Sequence, residues 1–252
     1  MLALFQTIIL MALKDRFFVA VLGLYAIALS GAAFLGNGAL VEKQETFAVF
    51  AGMVTRNASV LAALIYVAFT TQRLYETKEI ETMLARPISR EGFVLAYGGG
   101  MMMVALLLTV PIAILVAFVF APVGAWLWIA SAVFEMMIVV GIGVFASLTL
   151  QKAMPSVLSA VAIYLLARLI SFFLAISDEL MAKSDGAVLD NVFHMLIQAV
   201  SLLMPRLDFF GQTSWLVYGG AEGAFARLCI QTLVFVPLLL AATMFDMRRK
   251  RF

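Results

Sequence analysis

Long apolar runs broken by short charged clusters set the pattern of this chain. A membrane span needs about 20 mostly apolar residues, and six stretches approach or exceed that length: 17–35, 58–75, 93–120, 126–149, 156–176 and 226–247. Ahead of them, residues 2–13 form a shorter apolar stretch, followed by Lys14-Asp15-Arg16. No basic region precedes that stretch and no small-residue cleavage site follows it, so it reads as an interfacial helix rather than a signal peptide. Gly36-Asn37-Gly38 ends the first span. A mildly polar connection then carries Glu42, Lys43, Glu45 and Arg56 around an apolar FAVFAGM patch. Gly98-Gly99-Gly100 and Pro111 fall in the third span, where adjacent glycines let a neighbouring backbone come close. Trp126 and Trp128 open the fourth span where interfacial tryptophans belong. The connection 151–155 is short, which makes spans four and five antiparallel neighbours.

The longest connection, 177–225, has a pattern of its own. Asp190, His194, Gln198 and Ser201 fall on one face of a helix over 188–203, and Leu189, Val192, Phe193, Leu196, Val200 and Leu203 fall on the other. Such an amphipathic helix suits a membrane interface. Pro205 ends it, and Trp215, Tyr218 and two glycines mark a second short interfacial or re-entrant piece. The expected fold is therefore an all-α integral membrane protein in one transmembrane domain covering 1–252.

Composition agrees with lipid as the solvent. Of 252 residues, 64% are hydrophobic and 13% charged, against roughly half and a quarter in soluble domains. The mean hydropathy is +1.07. A net charge of +2 without a basic patch excludes nucleic acid as a partner. One cysteine, Cys229, and one histidine, His194, exclude an internal disulfide and histidine- or cysteine-rich metal sites. Fifteen methionines include Met101-Met102-Met103 and Met136-Met137. Consecutive helix residues point in different directions, so these runs are packing residues rather than a metal-ligand set.

Lysine and arginine placement sets orientation. One side would carry Lys14, Arg16, Arg73, Lys78, Arg86, Arg90, Lys152 and the bases of 248–251. The other would carry Lys43, Arg56, Lys183, Arg206 and Arg227. Both termini are expected in the cytoplasm, with the protein in the cytoplasmic (inner) membrane. Asn57-Ala58-Ser59 matches a glycosylation sequon but abuts a span. The C-terminal bases most simply anchor the last span at anionic headgroups.

Charge concentrates in residues 73–91, RLYETKEIETMLARPISRE, with four acids and four bases between two apolar spans. On a helix, Ile80, Met83 and Leu84 make a small apolar stripe, bordered by Glu76, Lys78, Glu79, Glu81 and Arg86. A helix laid in a partner's groove uses such a stripe, with charges fixing register. This stretch, between the second and third of six spans, resembles the membrane subunit of a type-2 ABC transporter. The likeness extends over most of the chain. It takes in the interfacial N-terminal helix and the long connection between spans five and six, where Leu203-Met204-Pro205-Arg206-Leu207-Asp208-Phe209 resembles a Leu-x-Pro-x-Leu-Asp pattern of some members. The resemblance implies that the charged stretch is a cytoplasmic coupling helix docking on an ATP-hydrolysing subunit. It also implies that a second permease copy or a paralogue completes the pathway. No G-x-x-x-x-G-K-[ST] phosphate loop occurs in this chain, so it is expected not to be an enzyme. It would hold no cofactor, and ATP and Mg would belong to the partner. A secondary transporter or a non-transporting scaffold are the alternatives.

Two ionisable residues lie inside predicted spans, Glu135 in the fourth and Arg168 in the fifth. Such groups pair or line a pathway. At 1.5 Å per residue, Glu135 lies about 13 Å and Arg168 about 12 Å from the same outer boundary. Antiparallel neighbours at equal depth are expected to form an ion pair between the two.

Overall fold

The computed structural model describes residues 2–38, 43–80, 89–117, 124–183, 188–220 and 222–250. Among them the regular structure is helical and no strand occurs. The helices, in order, are α1 (Leu2–Lys14), α2 (Phe17–Gly38), α3 (Lys43–Glu76), α4 (Arg90–Leu115), α5 (Ala125–Leu150), α6 (Ala153–Lys183), α7 (Val188–Leu203), α8 (Trp215–Tyr218) and α9 (Ala224–Arg249). Six of them, α2 to α6 and α9, are long and apolar enough to cross a membrane. That arrangement suits a multi-pass membrane protein, because a helix satisfies its own backbone hydrogen bonds where no water is present.

α5 is the centre of the bundle. It packs against α3, α4, α6 and α9, and 67% of its apolar window is buried, against 17% for both α2 and α9. The outer helices expose large apolar side chains such as Val19, Ile27 and Phe34 on α2, and Leu233 and Leu238 on α9. In water such a surface would aggregate; in lipid it is the ordinary exterior.

Small residues let the helices close on one another. A Cβ at Gly98 would lie 2.8 Å from Leu240 Cδ2 on α9, and one at Gly100 would lie 3.0 Å from Ile8 Cγ2 on α1. The glycine triplet is thus the seat of α1 on one side and α9 on the other. α1 turns away from α2 at Asp15 and Arg16, where Asp15 Oδ1 accepts the Phe17 N–H at 3.1 Å and caps the start of α2. Gln151, in the left-handed region at φ 60°, turns the chain from α5 into α6.

The structure differs from the hydropathy pattern in three places. The second span was expected over 58–75, but α3 begins at Lys43 and runs 34 residues, about 51 Å at 1.5 Å per residue. The FAVFAGM patch and Arg56 belong to this helix rather than to an outer loop. Apolar windows weigh Lys43, Glu45 and Arg56 as breaks, whereas the helix continues through all three, with Lys43 and Glu45 exposed in its first turn and Arg56 buried in the bundle. Second, Trp126 is exposed as an interfacial tryptophan should be, but Trp128 is completely buried. Third, the fifth span, expected over 156–176, extends through Ala153–Lys183.

α8 abuts the start of α5 at a very close contact. A Cβ at Gly124 would fall 2.0 Å from the Trp215 carbonyl oxygen, which is backbone. Gly23, on α2, has open space at the same position. Gly124→Ala is expected to lower stability by about 1–3 kcal/mol through overpacking. Gly23→Ala should be neutral or slightly stabilising, since alanine favours a helix interior over glycine. Thermal unfolding of both variants in the same detergent checks this, and equal midpoints would contradict the α8–α5 contact.

Candidate functional site

Glu135 is carried by the most buried helix and is itself 0% exposed. Its placement follows from the α5–α6 hairpin. It stands fifteen residues before Leu150, and Arg168 stands fifteen after Ala153, so the two meet at one depth. Arg168 Nη1 donates to Glu135 Oε1 at 2.8 Å. Tyr164, one turn earlier on α6, donates to the same oxygen at 3.2 Å.

The other carboxylate oxygen, Oε2, accepts from Arg56 Nε on α3. Arg56, expected outside the membrane, is 3% exposed and sits in the core of the bundle. Its Nη1 donates to Ser131 Oγ at 3.1 Å, and its guanidinium carbon lies 5.4 Å from the centroid of the Trp128 ring. Arg56 Nη2 and Trp128 Nε1 are buried and have no hydrogen-bond partner among the described residues. The cavity they border, also lined by Ser59, Thr109 and Met136, has a volume of about 10 Å³, near the least space that admits one water.

Sequence reasoning missed Arg56, Tyr164 and Ser131. One signal was present: Ser131 with Glu135, and Tyr164 with Arg168, are i,i+4 pairs that put polar groups on one helical face. No comparable spacing announces Arg56.

The centre also reaches the connection after α7. Arg168 Nη1 lies 3.4 Å from the Leu207 carbonyl, and the Leu207 N–H donates to the Ala167 carbonyl at 3.2 Å. Leu207 and Phe210 are wholly buried. A Cβ at Gly211 would overlap the Arg168 guanidinium, 2.0 Å from Nη2. Three span-length helices therefore meet at one carboxylate, and the loop after α7 packs on the Arg168 that pairs with it. The formal charge of the three ions is +1. Chemically the centre is a lock: it holds α3, α5 and α6 at fixed mutual depth.

The second candidate is the charged stretch. α3 ends at Glu76, and Thr77 and Lys78 turn the chain, with Lys78 at φ 54°. Gln72 Nε2 donates to Glu76 Oε1. Glu76 and Lys78 are exposed and Glu79 is half-buried. Ile80, expected to face a partner's groove, is 1% exposed and packs in the hydrophobic core. The stripe reading treats 80–84 as a free-standing helix, whereas the turn at Lys78 folds Ile80 back on the bundle. Glu81, Met83, Leu84 and Arg86 lie outside the described residues.

The far side of this stretch is tied to the C-terminus. Ser89 caps α4, accepting the Gly92 N–H at 3.1 Å. Arg90 Nη1 donates to the carbonyls of Met247 and Lys250 at 3.1 and 2.6 Å. Arg248 Nε donates to Glu91 at 2.8 Å. Lys250 Nζ donates to the Thr149 carbonyl at 2.9 Å. Arg248 and Lys250, expected at lipid headgroups, therefore engage α4 and α5.

His194, on the polar face of α7, lies 2.8 Å from Ser177 Oγ through Nδ1 and 2.8 Å from Gln198 Nε2 through Nε2. It pins α7 to α6. The Asp190 side chain lies outside the described ones. Among the described residues no group of three or more His, Cys, Asp or Glu could hold a metal.

No protein-family model matches the chain, and no curated protein matches it in sequence.

Removing Glu135 leaves two cations facing each other in the bundle. Glu135→Gln is expected to lower stability by about 3–5 kcal/mol, and joint replacement of Glu135 and Arg56 by methionine to recover most of that. Arg56→Gln should be more damaging than Arg168→Gln, because the Arg56 side chain is the more deeply buried, at 4% exposed against 24%. Thermal unfolding of the series in one detergent reads the ranking. A double variant no more stable than Glu135→Gln would remove the case for a buried ion cluster. Gly211→Ala should behave like a mild Arg168 variant, since the methyl displaces the guanidinium.

Proposed function

We propose that this chain is the membrane-spanning permease subunit of an ATP-binding-cassette transporter, working as an exporter in the cytoplasmic membrane with both termini in the cytoplasm. A separate ATPase would bind ATP and Mg and dock on the charged stretch after α3. A second copy, or a paralogue, would complete the pathway. The observation that carries this reading is the position of that stretch. It interrupts the apolar chain between the second and third of six span-length helices, and it is exposed at Glu76 and Lys78.

The mechanical connection supports the reading. α3 is one uninterrupted helix from the charged turn to Arg56, so force applied at Glu76 reaches the Glu135 centre about 30 Å away along 20 residues. Arg90 and Arg248 tie the other side of the stretch to the end of α9. A partner moving this turn would tilt α3, α4 and α9 as a group. Burial of Arg56 also removes a base from the non-cytoplasmic list, which sharpens the lysine–arginine bias behind the orientation.

A secondary transporter is the second reading, and the buried Arg56–Glu135–Arg168 cluster is the observation that favours it. The two readings separate on energy source. The purified chain is expected to hydrolyse no ATP, to copurify with a soluble ATPase from its native membrane, and to lose that partner when Glu79 and Glu81 are both changed to lysine. ATPase activity intrinsic to the chain, or transport driven by an ion gradient without ATP, would sink the permease reading.

A further inference from the structure

The ion cluster leaves two buried donors unused. Arg56 gives its Nε to Glu135 and its Nη1 to Ser131, so Nη2 is the remaining corner of the guanidinium. Nη2 and the Trp128 indole Nε1 are buried and have no hydrogen-bond partner among the described residues. The two residues are 3% and 0% exposed, so bulk solvent reaches neither group. A buried N–H without an acceptor loses its hydration and gains no bond, and native interiors rarely leave one in that condition. Arg56 and Trp128 both line the small cavity between α3, α4 and α5.

Two hydroxyl residues line the same cavity, Ser59 on α3 and Thr109 on α4. Their hydrogens are already committed. Ser59 Oγ donates to the Thr55 carbonyl at 2.7 Å, and Thr109 Oγ1 donates to the Leu106 carbonyl at 2.7 Å. A hydroxyl carries one hydrogen and two lone pairs, so each has acceptor capacity left. Ser59 keeps a lone pair even with Tyr25 Oη at 2.7 Å. The cavity is thus bordered by two donors in need of an acceptor and two acceptors with room for a donor. Ile112 and Met136 complete its wall with apolar surface. Its volume, about 10 Å³, is near the least that admits one water. A chloride ion would answer the surplus positive charge of the cluster. It is larger than a water, however, and has no hydrogen to give the two hydroxyl oxygens.

We propose that one water molecule is bound in this cavity, accepting from Arg56 Nη2 and Trp128 Nε1 and donating to Ser59 Oγ and Thr109 Oγ1. Buried waters make about three such bonds, and this one has four groups to choose from. The site also adds a helix to the centre. The ion pairs join α3, α5 and α6, and the water brings in α4 through Thr109. The site needs neither the permease nor the secondary-transporter reading and leaves the tests of both untouched.

The test is nuclear magnetic resonance of the full chain in detergent micelles, labelled with ¹⁵N at tryptophan. The chain has three tryptophans, and the Trp128 indole signal is the one lost in Trp128→Phe. If that variant fails to fold, Trp126→Phe and Trp215→Phe assign the signal by elimination. The expected result is a cross-peak between the Trp128 indole N–H and water, with the sign of a dipolar contact rather than of proton exchange. Thr109→Val should keep the cross-peak, because three partners remain, whereas a signal relayed through the Thr109 hydroxyl would vanish. Replacing chloride in the buffer by gluconate, which is too large for the cavity, should leave the indole signal in place. A folded protein without the cross-peak has a dry cavity. That result, loss of the cross-peak in Thr109→Val, or an indole signal that moves with chloride would each overturn the proposal.

Discussion

In a bundle whose helices are apolar on every side, hydrophobic burial does not choose between a lipid neighbour and a protein neighbour. The Glu135 carboxylate does choose. It cannot face lipid, and its two oxygens take Arg168 from α6 and Arg56 from α3. Each partner is fixed in turn, Arg56 by Ser131 and Trp128, Arg168 by Leu207 and the absence of a side chain at Gly211. Sliding α3 or α6 by one turn, about 5.4 Å, would strand a buried charge. The centre therefore sets the vertical register that apolar surfaces leave undetermined.

Lesser polar contacts repeat the device at other depths. Tyr25 Oη meets Ser59 Oγ at 2.7 Å and the Leu108 carbonyl at 3.1 Å, joining α2, α3 and α4. Thr71 Oγ1 lies 2.7 Å from Tyr97 Oη and 3.1 Å from Ser147 Oγ, joining α3, α4 and α5. Interhelical hydrogen bonds of this kind contribute about 0.6 kcal/mol on average within membranes, so they refine a packing that glycines and the ion cluster establish. α3 takes part in both sets and in the ion cluster. It is the element through which any movement at the charged turn would reach the interior.

The two ends of the bundle differ in character. At one end the charged turn and the Glu91–Arg248 pair gather exposed charge. At the other, α7 lies along α6 with His194 holding Ser177, and the loop through Leu207 and Phe210 plugs the bundle above Arg168.

Much of this was legible in the chain itself. Run length alone announced six span-length helices, because a bilayer crossing demands some 20 apolar residues whatever their neighbours. The short connection 151–155 made α5 and α6 antiparallel neighbours, and the similar distances of Glu135 and Arg168 from the outer boundary of their spans placed them at one depth. Arg56, Trp128 and Ile80 were decided only by the tertiary structure. Hydropathy averages a window and assigns each residue to lipid or water. It has no term for a third environment, the interior of the bundle, where an arginine is tolerated once a carboxylate waits on another helix and a tryptophan is drawn in beneath it. Which face of a uniformly apolar helix turns inward depends on partners distant in sequence, and that pairing is a property of the assembled bundle.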